Sequence, residues 1–480
     1  MTTSSLPFYE RADAAIHDPN LQLALDRATV KFRTARTNAI EQMLEPALVR
    51  DRARAARASA LARLDEHLDA LAARVEEAGG HVHWAADGAA ARRIIGELAR
   101  ERGVHRIVKG KSMASEEVHL NQALEEAGLR VVETDLGEYI IQLAGETPSH
   151  ILAPAIHKTR EQVSALFQEK LGMPPTDEIA VMTRTARASL RGEFLQADMG
   201  ITGVNFGVAE TGTIVLVTNE GNGRLSSGLP RIHVALMGIE RVVATTDDLL
   251  VLLQVLARSA TGQKLSVYTT LITGPARPDD SDGPEEFHLV LLDNGRSKLL
   301  GSEYAESLFC IRCGACLNVC PVYQEIGGHA YGSTYSGPIG AVLTPALEGL
   351  DHDNKWLPQA SSLCGACQEV CPVRIAIPDM LLKLRRDSVA QIGVALAERL
   401  SMRAWRMGMS SATAYTASGR LARTGLRLLE RRGRIRRLPP PLSAWTRSRD
   451  FPPFARRSFR ERWADRHAST VRSASDSGDE

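Results

Sequence analysis

Four cysteines fall at positions 310, 313, 316 and 320 with a proline behind the last, and three more fall at 364, 367 and 371, again followed by proline. These seven are all the cysteines in the 480-residue chain. The first set fits C-x2-C-x2-C-x3-C-P at every position. Three thiolates within seven residues can hold three corners of a small cubane, because each two-residue gap turns the chain back around one inorganic core. A structural zinc takes four ligands, usually as two short pairs far apart, and has no use for a third neighbouring cysteine or for the proline. An odd cysteine count also argues against a disulfide framework. The spacing predicts iron–sulfur clusters.

Aligned on their prolines, the motifs match Cys371 to Cys320, Cys367 to Cys316 and Cys364 to Cys313, and set Ser361 opposite Cys310. In two-cluster ferredoxins the fourth cysteine of such a run ligates the other cluster. The expected first set is therefore Cys310, Cys313, Cys316 and Cys371, complete for [4Fe–4S]. The second is Cys320, Cys364 and Cys367, which suits either [3Fe–4S] or a [4Fe–4S] cluster whose last iron takes Ser361, water or another oxygen ligand. Segment 327–340 has five glycines in fourteen residues. It is expected to be an ordered loop that wraps this centre and brings backbone N–H groups to the sulfurs.

The elements that must position these thiols follow from periodicity. Residues 1–78 read as a helical arm: Asp18-Pro19 caps one helix with Leu21, Leu25, Ala28 and Phe32 on one face, and Pro46 starts another that runs to Gly79-Gly80. From 79 to 300 the period changes. "HVHWA", "VHRIV" and "LRVVET" read as strands separated by helices over 87–103 and 112–128, which implies a parallel sheet in an α/β domain. After a helical stretch near 159–197 come strand candidates at 201–209, 213–218, 266–273 and 287–292. Residues 301–395 form a helical two-cluster domain, and 396–480 read as a basic, partly disordered tail. Beyond Met402 there are eighteen arginines, no lysine and seven acidic residues, with prolines at 439–441 and 452–453. The final "SASDSGDE" is expected to be disordered.

Other signals in the α/β domain are weaker. "KGKS" (109–112) lacks the first glycine of a phosphate loop, since His105 stands there; Ser112 and Ser115 read first as helix caps and second as an anion site. "GNGRLS" has Ser226 where a dinucleotide fingerprint needs its last glycine. Glu210, Asn219, Glu220, Arg224, Arg231 and His233 can line a carboxylate pocket, although solvated turns explain them better. His119, His150 and His157 fall at no metal spacing and read as surface or core residues.

Composition excludes several classes. The formal net charge is +1, so no global field argues for nucleic acid. The start has no signal-like pattern, and the strongest apolar run, from Leu249, is short of the roughly 20 residues a membrane span needs; a cytoplasmic location is expected. The basic tail leaves room for peripheral contact with a membrane surface.

With both cysteine motifs and "ADMGITGVNFGVAETGTIVLVTNEGNGR" (197–224), the chain resembles the lactate utilization protein B family over roughly 20–400. "GGHAYG", "GPIGAVLTP" and "SSLCGACQEVCPV" stand in the family's order. The resemblance implies a lactate-utilization domain, similar in fold to sugar-phosphate isomerases and CoA transferases, and then a two-cluster ferredoxin-like module. It implies an electron carrier in the oxidation of L-lactate to pyruvate, working with a cysteine-rich iron–sulfur subunit and a second lactate-utilization-domain protein. Lactate oxidation removes two electrons, usually as hydride to flavin or nicotinamide, and each cluster takes one. No flavin or nicotinamide fingerprint is found, so no catalytic residue is assigned. The alternative is a catalytic subunit that reacts a small carboxylate at the incomplete cluster, and a third reading is a cluster-based sensor. The tail beyond about 402 lies outside the resemblance.

Overall fold

The structure is a computed structural model that describes residues 6–351, 353–440 and 442–476. The chain divides into two compact units, Met1–Ile392 and Gly393–Glu480. The strands, in chain order, are β1 (His81–Ala85), β2 (Arg106–Lys109), β3 (Arg130–Glu133), β4 (Met199–Gly203), β5 (Phe206–Val208), β6 (Thr213–Thr218), β7 (Ile232–Gly238), β8 (Val242–Val243), β9 (Tyr268–Ile272) and β10 (Glu286–Leu292). Six form one sheet in the order β1-β10-β7-β4-β2-β3, parallel throughout. The others form a second sheet, β8-β5-β6-β9, in which β6 runs antiparallel to β5 and β9. The α/β architecture with a parallel sheet is the one expected.

Two departures have physical causes. The run 201–209, read as one strand, is two: β4 lies in the parallel sheet and β5 in the mixed one. Asn205 makes the crossing, its N–H donating to the Val215 carbonyl and its Oδ1 accepting from the Val217 N–H. Strand β7 has no strand signal in the sequence, although it is central and buried along its whole length. It follows a glycine- and charge-rich stretch that hides it, and a strand covered on both faces shows no alternation. Its neighbour, the helix Asn222–Gly228, packs so close to β4 that a Cβ on Gly200 would stand 1.6 Å from the Ser226 carbonyl oxygen.

The helical arm packs on its own chain. Asp18 caps the helix Pro19–Glu41 by accepting from the Asn20 and Leu21 N–H groups. Leu25 from this helix shares a core with the cysteine segment, and Phe32 stacks on His150 at 6.0 Å. The stretch expected to reach Gly79-Gly80 without interruption breaks at Arg63 into Pro46–Ala62 and Leu64–Glu77. Likewise 112–128 breaks at His119, which is left-handed at φ 50°.

In the second unit the expected partly disordered tail instead forms the helices Leu396–Met409, Ala412–Arg427 and Phe459–Asp476. Ile435 and Leu438 are buried there, and Arg423 pairs with Glu461 at 3.2 Å. The arginine density masked a composition of Ala, Leu and Arg that favours helix. Of "SASDSGDE", the first four residues close the last helix and 477–480 lie outside the described residues, as do the first five residues of the chain.

His233, placed above among carboxylate-binding candidates, sits inside β7 with no exposure, its Nε2 2.8 Å from Thr202 Oγ1. Burial pushes its pKa down from 6.5 to about 3. The unfolded chain therefore binds a proton between these values that the native chain refuses, and stability falls as pH drops through that window. Chemical denaturation from pH 7 to pH 4 will show this loss, and His233→Asn will flatten the slope.

Candidate iron–sulfur centre

The two cysteine motifs share one backbone course. Arg312 (φ 58°) and Gly314 (φ 70°) flank Cys313 in the left-handed region, and Leu363 (φ 56°) and Gly365 (φ 85°) flank Cys364 in the same way. Short helices follow, Ala315–Asn318 and Ala366–Val370, and each motif ends on a cysteine with ψ near 120° before its proline. Holding arginine or leucine left-handed costs roughly 1–2 kcal/mol each, strain of the kind found where a site dictates the backbone.

The match extends to the missing cysteine. The Arg312 N–H donates to Cys310 Sγ at 3.4 Å, and the Leu363 N–H donates to Ser361 Oγ at 3.1 Å. Ser361 thus occupies the place in its loop that Cys310 occupies in the first. Further N–H groups on sulfur come from Tyr323 to Cys320 at 3.5 Å and from Ile375 to Cys371 at 3.4 Å.

Six of the seven thiols are buried and Cys364 is exposed. Cys310, Cys313, Cys316 and Cys371 line one cavity with Ile151, Ile311, Ile339, Val373, Ile375 and Ile377. Burial pushes Cys313 up to about 12, and nearby Cys371 opposes its ionisation further. Cys371 rises to about 11 by burial, and burial also raises Cys316, with Cys310 and Cys313 adding to the shift. Burial also raises Cys367 to about 12, and Cys320 and then Cys364 oppose its ionisation further. Cys364 alone is lowered, by the Ala366 N–H and then the Ser362 hydroxyl. Among the described residues no three His, Cys, Asp or Glu side chains converge on a single ion; the thiols are spread around a cavity. Thiols in an apolar, water-excluding shell with N–H groups on their sulfurs fit an iron–sulfur cluster, whose irons supply the charge that burial denies a bare thiolate.

Arginines from the arm hold the second motif in place. Arg36 donates to the Val370 carbonyl at 2.6 Å, Arg50 to Glu369 and Cys371 at 2.5 and 2.7 Å, and Arg54 to Arg374 at 2.7 Å. Sequence reasoning missed them, because nothing local marks an arginine that reaches a loop over 300 residues away. The glycines of 327–340 act differently from expectation: they allow close packing. A Cβ on Gly328 would stand 1.7 Å from the Ser149 carbonyl oxygen, and one on Gly337 2.5 Å from Leu317.

The carboxylate candidates do not form one group. Asn219 and Glu220 line a cavity at the carboxyl edge of the parallel sheet. Glu210 instead accepts from Thr246, Arg224 lies over the Tyr268 ring, and Arg231 donates to the Arg102 carbonyl. Ser112 caps Met113–Glu117, whereas Ser115 lies inside that helix and its Oγ accepts from the Lys109 ammonium at 2.8 Å.

Three family models match the chain: the LUD domain over residues 68–292, a 4Fe-4S dicluster domain over 306–375, and the C-terminal part of lactate utilisation protein B over 390–468. The last covers the segment read above as outside the resemblance. The chain is 46% identical to "Lactate utilization protein B" of Shouchella clausii over 459 residues, 95% of this chain and 96% of that one. The proteins of the same name from Bacillus licheniformis and Bacillus thuringiensis are 45% and 46% identical, each across 97% of this chain and 98% of theirs. A crystal structure of a DUF162 family protein from Deinococcus radiodurans is similar with a TM-score of 0.27 and 14% identity, over 48% of this chain and 98% of that one. By near-full-length identity and by all three segments, the chain belongs to the lactate utilization protein B family.

Proposed function

We infer that this protein carries electrons in lactate utilisation, as an iron–sulfur component of a complex that oxidises L-lactate to pyruvate. The observation that carries the reading is the sorting of thiols from two motifs: Cys371 lies with Cys310, Cys313 and Cys316 around one cavity, while Cys364 and Cys367 lie near Cys320. On this reading the first set holds a [4Fe–4S] cluster, and the second holds another with Ser361 at its fourth corner. Clusters in such sites accept and release single electrons.

The chain's own residues tune and shield the two sets. N–H groups on Cys310, Cys320 and Cys371 favour added negative charge, and the Arg36 guanidinium faces Cys313 and Cys371. The isoleucines around the first set keep water away. The second set reaches the surface at Cys364, where a partner can approach. On this reading the chain works with two companions, a cysteine-rich iron–sulfur protein and a smaller LUD-domain protein, in which the two-electron step takes place. Among the described residues no helix is long and apolar enough to cross a membrane.

Anaerobically purified full-length protein should be brown, with acid-labile sulfide, and L-lactate should reduce it only when the companions are added. A colourless zinc protein, or reduction by L-lactate alone, overturns the reading. Ser361→Cys should give an ordinary four-iron signal at the second site by electron paramagnetic resonance; an unchanged spectrum refutes the equivalence of Ser361 and Cys310. In the metal-free chain at neutral pH, iodoacetamide should label Cys364 about tenfold or more faster than any other cysteine, since thiolate fraction and access both favour it. Mass mapping after brief exposure checks this, and labelling of Cys313 or Cys316 first would contradict it.

A further inference from the structure

The carboxyl ends of β2, β4 and β7 border a cavity of about 310 Å³ that the thiol centre does not use. Open parallel sheets bind ligands at this edge. Its lining joins the sheet to the first cysteine motif through Arg312, which lines this cavity and not the one formed by the thiols.

The charged and polar groups around this cavity differ in how fully they are paired. Arg296 is fully engaged, donating to Glu117 at 2.7 and 2.8 Å and to Glu240 at 2.6 Å. Arg241 donates to the Cys310 carbonyl at 3.2 Å. Arg312 is different. It is 9% exposed, its Nε and Nη1 are buried without a hydrogen-bond partner, and Glu240 Oε1 stands 3.6 Å from Nη2. The Tyr335 ring covers it at 4.3 Å. Lys111 donates to the Leu152 carbonyl at 2.5 Å and has no carboxylate within ion-pair distance among the described residues. Asn222, in the same lining, is 5% exposed, and its Oδ1 is a buried acceptor without a donor. Buried unpaired donors and acceptors of this kind are destabilising unless a ligand pairs them. Asp135 and Glu220 line the same space and disfavour a dianion such as phosphate.

We propose that this cavity binds a small organic monoanion, a carboxylate that also carries a hydroxyl group, with Arg312 and Lys111 holding the carboxylate and Asn222 Oδ1 accepting from the hydroxyl. The binding site stands on its own geometry; its link to electron transfer rests on the function proposed above. Because Arg312 lies between Cys310 and Cys313, a bound anion opposes added negative charge there, so the oxidised protein binds it more tightly.

Calorimetric titration of the full-length, anaerobically purified protein with L-lactate tests the site, with acetate and inorganic phosphate as comparison probes. Saturable one-to-one binding is expected, weakened about tenfold or more by Arg312→Gln and by Lys111→Gln. Acetate should bind about tenfold more weakly than L-lactate, and Asn222→Leu should remove that difference. Lys111 is outside the cysteine motifs, so its variant reports on binding even if Arg312→Gln fails to load iron. No saturable binding, wild-type affinity in Lys111→Gln, or phosphate binding as tightly as L-lactate overturns the proposal. Equal binding of acetate and L-lactate overturns the role of Asn222. A tenfold preference for the oxidised protein lowers the midpoint potential by about 59 mV. An unchanged potential despite binding refutes the coupling and leaves the electron-transfer reading intact, whereas binding by a protein with no reducible iron refutes that reading and leaves the site.

Discussion

A loop that turns its N–H groups inward onto sulfur must turn carbonyls outward, and buried carbonyls need donors. The rest of the first unit depends on how this requirement is met. Around Cys371 the donors are the guanidinium groups of Arg36, Arg50 and Arg54, which is why two N-terminal helices lie against a segment more than 300 residues away. Arg57, one turn beyond Arg54, is buried and extends the same device inward, donating to the carbonyls of Val242 and Leu308 at 2.8 and 3.0 Å. The arm thus ties the thiol loops to the second sheet, and Met1–Ile392 forms one compact unit.

The parallel sheet meets the thiol loops through charge as well. Glu240 follows β7 directly, and a Cβ on Gly238 would stand 2.3 Å from its Oε2, so glycine there leaves room for the Glu240–Arg296–Glu117 chain. Burial alone would keep Glu240 protonated, but Arg296, Arg241 and Arg312 hold it down at about 2. Such a network is costly to break, because removing one member leaves the others charged and unpaired in a dry interior. It sets Arg241 and Arg312 against the backbone and side-chain region of Cys310.

Much of this was legible in the sequence, for identifiable reasons. The cysteine spacing was readable because it is a local constraint, and the match of Ser361 to Cys310 because the prolines fix the alignment. β1, β6 and β10 were readable from short apolar runs between turn signals. β7 was not, since a strand buried on both faces carries no period and His233 made it look polar. The helices of the second unit were hidden by arginine content, which says more about solvation than about backbone conformation. The arm's contacts and the sheet-edge cavity were out of reach because both are made by residues far apart in the chain, where only the folded topology brings Lys111, Asn222 and Arg312 to one space.

The internal repeat is symmetric in backbone and asymmetric in chemistry. At the left-handed position before Cys313 the first motif has Arg312, and before the equivalent Cys364 the second has Leu363. The same main-chain task, an N–H given to the ligand position two residues earlier, is done by both. Only the first then projects a cation into the lining of the sheet-edge cavity, under the ring of Tyr335. The second instead lies beside Cys364, the exposed thiol. One half of the duplicated module therefore faces inward to a charged cavity and the other outward to solvent. That division follows from a single side chain at an otherwise equivalent position, and it gives the two thiol sets different electrostatic surroundings although their loops are built alike.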